Sequence, residues 1–181
     1  MSDWQADYQH GTFVVWPTGE IEGISNELRQ TYDPESQAHC PAHITVTQPF
    51  LEAPSAESWR QIETIVSSFS TFPISVGPIE PFGASTTLKF DIEPKAPLRQ
   101  LRRKLHETGL FNLTLPFTEG FIPHMTISEF GLDDRTVVEC LAATLNQEIS
   151  SHVFSCRALA YIRPDSNFQF QEVRSIPLGN R

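Results

Sequence analysis

Two short segments hold the residues best suited to chemistry. Ala42-His43-Ile44-Thr45-Val46-Thr47 and Pro123-His124-Met125-Thr126-Ile127-Ser128 alternate polar and apolar side chains without a break, and a period of two means an extended strand. His43, Thr45 and Thr47 then share one face, as do His124, Thr126 and Ser128, while Ile44, Val46, Met125 and Ile127 point the other way. One imidazole and two hydroxyls make a poor core surface, because each needs a buried hydrogen-bonding partner; they make a good cleft wall. With the two faces opposed across a pseudo-twofold axis, two imidazoles and two threonine hydroxyls bound one small space. Histidine exists in both protonation states near neutral pH, so one neutral ring can take a proton from water while a charged one gives a proton to a leaving oxygen. Thr45 and Thr126 can donate to the non-bridging oxygens of a phosphodiester as negative charge grows there. The scheme requires no metal and no cofactor, and Thr47 and Ser128, on the same faces, are further candidate substrate-binding residues.

The elements around these strands read as two similar halves. Thr12 to Trp16 is a β-branched and aromatic run ended by Pro17 and Gly19, a short buried strand. Ile21, Ile24, Leu28 and Tyr32 follow at the spacing of one helical face, stopped by Asp33-Pro34 and then a polar loop. Trp59, Ile62, Val66 and Phe69 mark a second helix opening after Pro54-Ser55, and strands follow near 74–79 and 86–92. In the second half Leu98, Leu101 and Leu105 stripe a third helix that Gly109 can end. Asp133 or Asp134 is a plausible N-cap for a fourth helix faced by Val137 or Val138, Leu141, Leu145 and Ile149. Two last strands span 153–162 and 168–176 around a turn at Pro164-Asp165-Ser166-Asn167. Each half reads strand, helix, histidine strand, helix, hairpin, except that the second lacks a strand before its first helix. The expectation is an α+β fold of two lobes in one domain over 1–181, with two antiparallel sheets lining a central cleft and helices outside.

Other residues invite a role and have a plainer alternative. His10-Gly11-Thr12 repeats the histidine spacing but has Gly in the apolar place, and is read as chance. Lys89 suits either phosphate neutralisation or a solvated strand position. Arg99, Arg102, Arg103 and Lys104 read as the wet face of the third helix. Tyr161 is a candidate substrate-binding residue that could stack on a base, with Arg163 holding a phosphate; strand core and surface are the alternatives. His39 and Cys40 lie near His43 without a carboxylate or second cysteine at ligand spacing, which argues against a metal site.

Composition bounds the partners. A formal charge of -9 with 13 Lys and Arg in 181 residues disfavours a surface that grips long nucleic acid, since that binding neutralises many phosphates together. A small anion or a single nucleotide end fits. No apolar run approaches membrane-spanning length and the first residues do not read as a leader, so a cytoplasmic monomer with no membrane partner is expected. Cys40, Cys140 and Cys156 form no CxxC pair and read as free thiols rather than a disulfide frame.

The segments PAHITVTQPF and FIPHMTISEF, with TYDPES ahead of the first, resemble the 2H phosphoesterase superfamily, and within it the bacterial 2'-5' RNA ligase-like and cyclic phosphodiesterase proteins. The resemblance covers nearly the whole chain. It implies a bilobal α+β fold with one HxT motif per lobe and a cleft that hydrolyses 2',3'-cyclic or related cyclic phosphates of nucleotides or RNA ends, with His43 and His124 catalytic and Thr45 and Thr126 holding the phosphate. Many ligase-like members have Arg two residues beyond the first motif's Thr, where this chain has Thr47. Two other functions remain open at this point: a non-catalytic nucleotide-binding module using the same cleft, and reversible 2'-5' ligation of RNA ends.

Overall fold

A computed structural model describes residues 3–116, 118–129 and 134–179. The elements run α1 (Asp3–Asp7), β1 (Thr12–Val15), α2 (Glu20–Tyr32), α3 (Pro34–His39), β2 (Ile44–Thr45), α4 (Ala56–Ser67), β3 (Phe72–Pro81), β4 (Leu88–Glu93), α5 (Lys95–His106), β5 (His124–Ser128), α6 (Arg135–Glu148), β6 (His152–Cys156), β7 (Ala158–Pro164) and β8 (Phe170–Pro177). Each long helix starts and packs for reasons visible in its residues. Ser55 and Ser58 form a reciprocal capping box on α4, which buries Ile62 and Val66. Asp134 caps α6 through the Thr136 amide; Asp133, the alternative, lies outside the described residues. Leu98, Leu101 and Leu105 are fully buried along α5, and in α6 Val138 is the buried valine while Val137 is exposed. Among the described residues no helix is long and apolar enough to cross a membrane.

The strands form one eight-stranded sheet in the order β6-β3-β4-β5-β2-β1-β7-β8, in place of the two sheets that the sequence suggests. Backbone pairing of Ile44 with Met125 joins β2 to β5 antiparallel, so the two groups of strands, β8-β7-β1-β2 and β5-β4-β3-β6, are continuous across the middle. The halves of the sequence also do not coincide with these two groups of strands. The hairpin β3–β4 belongs to the group containing the second histidine, and β4 supplies the strand that seemed missing before α5. The run expected as one strand over 153–162 is two: β6 pairs with β3, β7 pairs with β1, and the chain crosses between groups at Arg157. The helices α2 and α6 pack against β5, β6 and β3, whereas α4 packs against β8 and α5.

One face of the sheet carries a single contiguous core that includes Phe13, Ile44, Val46, Phe90, Met125, Ile127 and the stripes of α4, α5 and α6. The other face holds a small apolar patch of Val14, Cys40, Ala160 and Ile162, with Trp16 and Phe170 against it, beside the polar groups described below. Gly11 makes the turn into β1 with φ +78°, and a Cβ there would stand 2.3 Å from the Ile162 carbonyl oxygen, so only glycine fits this approach.

The stretch after Asp33, read as a loop, contains the short helix α3. Asp33 accepts from the Ser36 amide as its N-cap with Pro34 in the first turn. The second Asp33 oxygen accepts from the Glu129 amide at 2.8 Å, so one buried carboxylate ties α3 to the end of β5. Asp33→Ala removes the cap and orphans a second amide, and should destabilise the fold by about 2–4 kcal/mol. Denaturant unfolding at constant pH checks this, with Asp33→Asn expected to lose less.

Candidate functional site

The Ile44–Met125 register sets the site. In an antiparallel pair it places His43 across from Thr126 and Thr45 across from His124, so the imidazole of each strand neighbours the hydroxyl of the other. His43, Thr45, His124 and Thr126 line one cavity of about 70 Å³, together with Arg29 and Glu129. The volume suits a small tetrahedral anion. The four residues expected from the motifs are therefore brought together.

Both rings are held alike. His43 Nδ1 donates to the Pro41 carbonyl at 2.7 Å and His124 Nδ1 donates to the Ile122 carbonyl at 2.8 Å. A carbonyl only accepts, so the proton sits on Nδ1 in each neutral ring and Nε2 keeps its lone pair. His124 stacks on Phe82, ring centroids 4.4 Å apart, and Trp16 meets His43 edge to face at 6.0 Å. Burial drives the His43 pKa down to about 4, helped by the positive charges of Arg29 and His124 and opposed by the Pro41 carbonyl. Burial also lowers His124; Lys89 adds to this, while the Ile122 carbonyl and Asp91 resist it. Both rings are accordingly neutral near pH 7 in the empty site, and an anion placed between them favours uptake of a proton.

Arg29 and Glu129 carry no motif. Arg29 rises from α2 and is nearly buried; its Nε donates to the Cys40 carbonyl at 3.2 Å and Nη1 to the Thr126 carbonyl at 3.1 Å. Among the described residues Nη2 makes no hydrogen bond, and Arg29 lines the cavity as a fixed cation. The signal available in sequence was its place at the helix's buried stripe, where Ile21, Ser25 and Arg29 recur every fourth residue. The Glu129 carboxyl is pushed up by burial, with Arg29 lowering and Asp33 raising it.

Three expected substrate-binding residues are closed to a ligand. Thr47 is fully buried, accepts from the Phe13 amide at 3.1 Å and meets the Thr12 hydroxyl at 3.1 Å. The alternation fails because β2 ends at Thr45: the amides of Val46 and Thr47 both turn to the Phe13 carbonyl. Ser128 is buried and donates to the Tyr32 carbonyl. Tyr161 is one register off the cleft; its ring packs on Phe13, Phe50 and Trp59, and its hydroxyl donates to the His10 carbonyl at 2.8 Å. The positions of β7 that face the cleft patch are Ala160 and Ile162.

Of the basic residues, Arg99, Arg103 and Lys104 lie on the exposed face of α5 as expected, whereas Lys89 and Arg102 do not match their expectations. Lys89 is buried and neutralised, 2.7 Å from Glu80 and 3.2 Å from Asp91. Arg102 is not on a wet face: it donates to the Val46 carbonyl and stacks on Phe121 at 4.3 Å. Arg163 is exposed. His39 donates through Nδ1 to the Phe168 carbonyl, and burial drives the Cys40 thiol up to about 12, leaving it protonated.

The family model described as the 2'-5' RNA ligase superfamily matches residues 17–167. A relative from Bacillus cereus strain B4264, named "Putative phosphoesterase", is 34% identical over 131 residues, which is 71% of this chain and 73% of that one. A namesake from Oceanobacillus iheyensis is 32% identical over 64% of this chain and 68% of its own. Among solved structures, Escherichia coli LigT with NADP+ superposes with a TM-score of 0.57 at 15% identity, covering 96% of this chain and 99% of that one. A structure titled only as a phosphoesterase gives 0.59 at 17% identity over 95% and 99%. These likenesses at low identity speak for the fold, a curled antiparallel sheet with helices, and with the sequence match they establish that the chain belongs to the 2'-5' RNA ligase superfamily, the two-histidine phosphoesterases.

Proposed function

We propose that this chain is a metal-independent phosphodiesterase that hydrolyses 2',3'-cyclic or related cyclic phosphates of nucleotides or RNA ends. The observation that carries the reading is the dyad of His43 and His124, each locked as the Nδ1–H tautomer with Nε2 left for the substrate and each beside the other strand's threonine. A cyclic phosphodiester carries one negative charge. Arg29 Nη2 and the Thr45 and Thr126 hydroxyls supply donors for its non-bridging oxygens, and these interactions strengthen as charge builds on those oxygens in the five-coordinate state. One Nε2 removes a proton from water and the other, protonated, gives one to the departing ester oxygen. Solved structures of LigT carry NADP+, ATP or phosphate, which supports a nucleotide or phosphate ligand for a cleft on this fold.

With EDTA present, native turnover of a 2',3'-cyclic nucleotide should persist, and His43→Ala and His124→Ala should each lower kcat/KM by about two to four orders of magnitude. Native activity in either variant would sink the reading. The active free form is singly protonated, and burial lowers both imidazoles from the ordinary 6.5, His43 to about 4. As pH rises above that range the singly protonated form becomes scarce, so kcat/KM should peak below pH 6.5 and fall roughly tenfold per unit above it. An alkaline optimum would contradict the assigned chemistry. Arg29→Lys keeps charge but loses the fork that holds two carbonyls while reaching the cavity; kcat/KM should fall about 10- to 100-fold, measured beside the melting temperature to separate binding from folding.

A further inference from the structure

The floor of the cleft is symmetric about the β2–β5 pairing, whereas its flanks differ. On the β4 side Lys89 stands across from Thr126 and Asp91 across from His124. These join Glu80 and Lys95 in a chain of ion pairs that fills the flank. On the β1 side the residue across from Thr45 is Val14, followed outward by Ala160, and no ion pair fills that flank among the described residues. A cavity of about 610 Å³, reached by Thr12 of β1 and Ile162 of β7, opens beside the small one and shares Arg29, His43, Thr45 and Glu129 with it. Its size falls within the roughly 300–1,000 Å³ of small-molecule sites. The rings of Tyr8 and Phe170 meet edge to face at 6.2 Å in its wall, Ile162 lies against it, and Gln5, Glu35 and His39 add polar atoms.

We propose that this cavity is the nucleoside subsite, and that it selects a guanine nucleoside whose cyclic phosphate rests between His43 and His124; the proposal builds on the phosphodiesterase reading above. The two rings are nearly perpendicular, at 82°, so a flat base can stack on Phe170 with the Tyr8 ring at its edge, and base–aromatic stacking is worth about 1–3 kcal/mol. The carboxylate of Glu35 only accepts hydrogen bonds, so the base edge it meets must bring donors. Guanine presents an N–H and an amino group side by side; adenine presents its amino group beside a bare acceptor, and uracil one N–H between carbonyls. Glu35 and Glu129 both face the cavity, and their charge opposes a second phosphate there. The ligand is therefore an uncharged nucleoside carrying the one phosphate.

Steady-state kinetics on the 2',3'-cyclic phosphates of guanosine, adenosine and uridine test this in the native chain, Phe170→Ala and Glu35→Gln. The native kcat/KM should favour guanosine over uridine about tenfold. Phe170→Ala should raise KM for all three, and Glu35→Gln should abolish the preference for guanosine over adenosine. Inhibition by inorganic phosphate, which needs only the floor, should keep its native constant in both variants. Equal kcat/KM for the three substrates, unaltered in Phe170→Ala, would overturn the subsite while leaving the phosphodiesterase intact. If the native chain turns over none of them, the phosphodiesterase reading fails, and calorimetry with 3'-GMP and 3'-UMP decides the subsite. Tighter binding of 3'-GMP that Phe170→Ala weakens supports it, and equal binding removes it.

Discussion

The pairing of Ile44 with Met125 is the contact on which the arrangement depends. It is a single backbone register between two short strands, yet it closes eight strands into one sheet and fixes which side chains meet. An antiparallel pair has a local dyad, so like residues on the two strands become equivalent by geometry, and a histidine and a threonine two residues apart on each strand are enough to build a fourfold polar site. A slip of one residue would turn the imidazoles into the core. The opposite faces prevent it: Ile44, Val46, Met125 and Ile127 are all fully buried, each worth about 1.5–3 kcal/mol of apolar burial. The polar floor is held by the apolar ceiling behind it.

The same strands explain how much of the site could be read from residues alone. Alternation located His43, Thr45, His124 and Thr126 because it reports which face a side chain takes for as long as the strand lasts. It failed at Thr47, where β2 has ended and the backbone folds back on Phe13. Tyr161 was a candidate by residue type alone, and pairing with Phe13 puts that ring in the core, the plainer alternative. Ser128 keeps its face but is sealed by Tyr32 of α2, a tertiary contact that period cannot report. The helix stripes of α4 and α5 were legible, since Leu98, Leu101 and Leu105 or Ile62 and Val66 need only one apolar neighbour layer, whereas the buried stripe of α2 runs through Ser25 and Arg29. Strand partnership was not: β6 and β7 are consecutive in sequence and belong to opposite ends of the sheet. The helix α3 was legible in principle from Asp33-Pro34, whose chain-stopping role masked its equally good chain-starting one.

Arg29, Arg102 and Lys89 show why charge in a sequence is a poor guide to where charge acts. All three are buried, and each has been given different partners. Lys89 is cancelled by two carboxylates, and Arg102 is used on a core carbonyl and an aromatic face. Arg29 hydrogen-bonds only to neutral carbonyls, so at the cavity its positive charge is offset by the nearby Glu129 carboxyl alone. A chain of formal charge -9 thus keeps one guanidinium without a salt-bridge partner among the described residues where an anion would sit, and among those residues Arg29 is the one Lys or Arg that lines the cleft.

That balance bears on turnover. The site brings together two imidazoles whose pKa values burial lowers, one guanidinium and the Glu129 carboxyl, so each added negative charge on a ligand meets Glu129 and a low-dielectric wall. In the proposed reaction a cyclic diester enters as a monoanion and draws a proton onto the dyad, since its charge offsets the burial that keeps the rings neutral. Ring opening leaves a monoester whose second ionisation lies near neutrality, and the doubled charge is then opposed by the same carboxyl that the single charge tolerated. Substrate and product of that proposed reaction differ little in shape, so a site that relied on shape would hold both; charge would separate them, and the low pKa of His43 would return the dyad to its neutral form once the anion has gone.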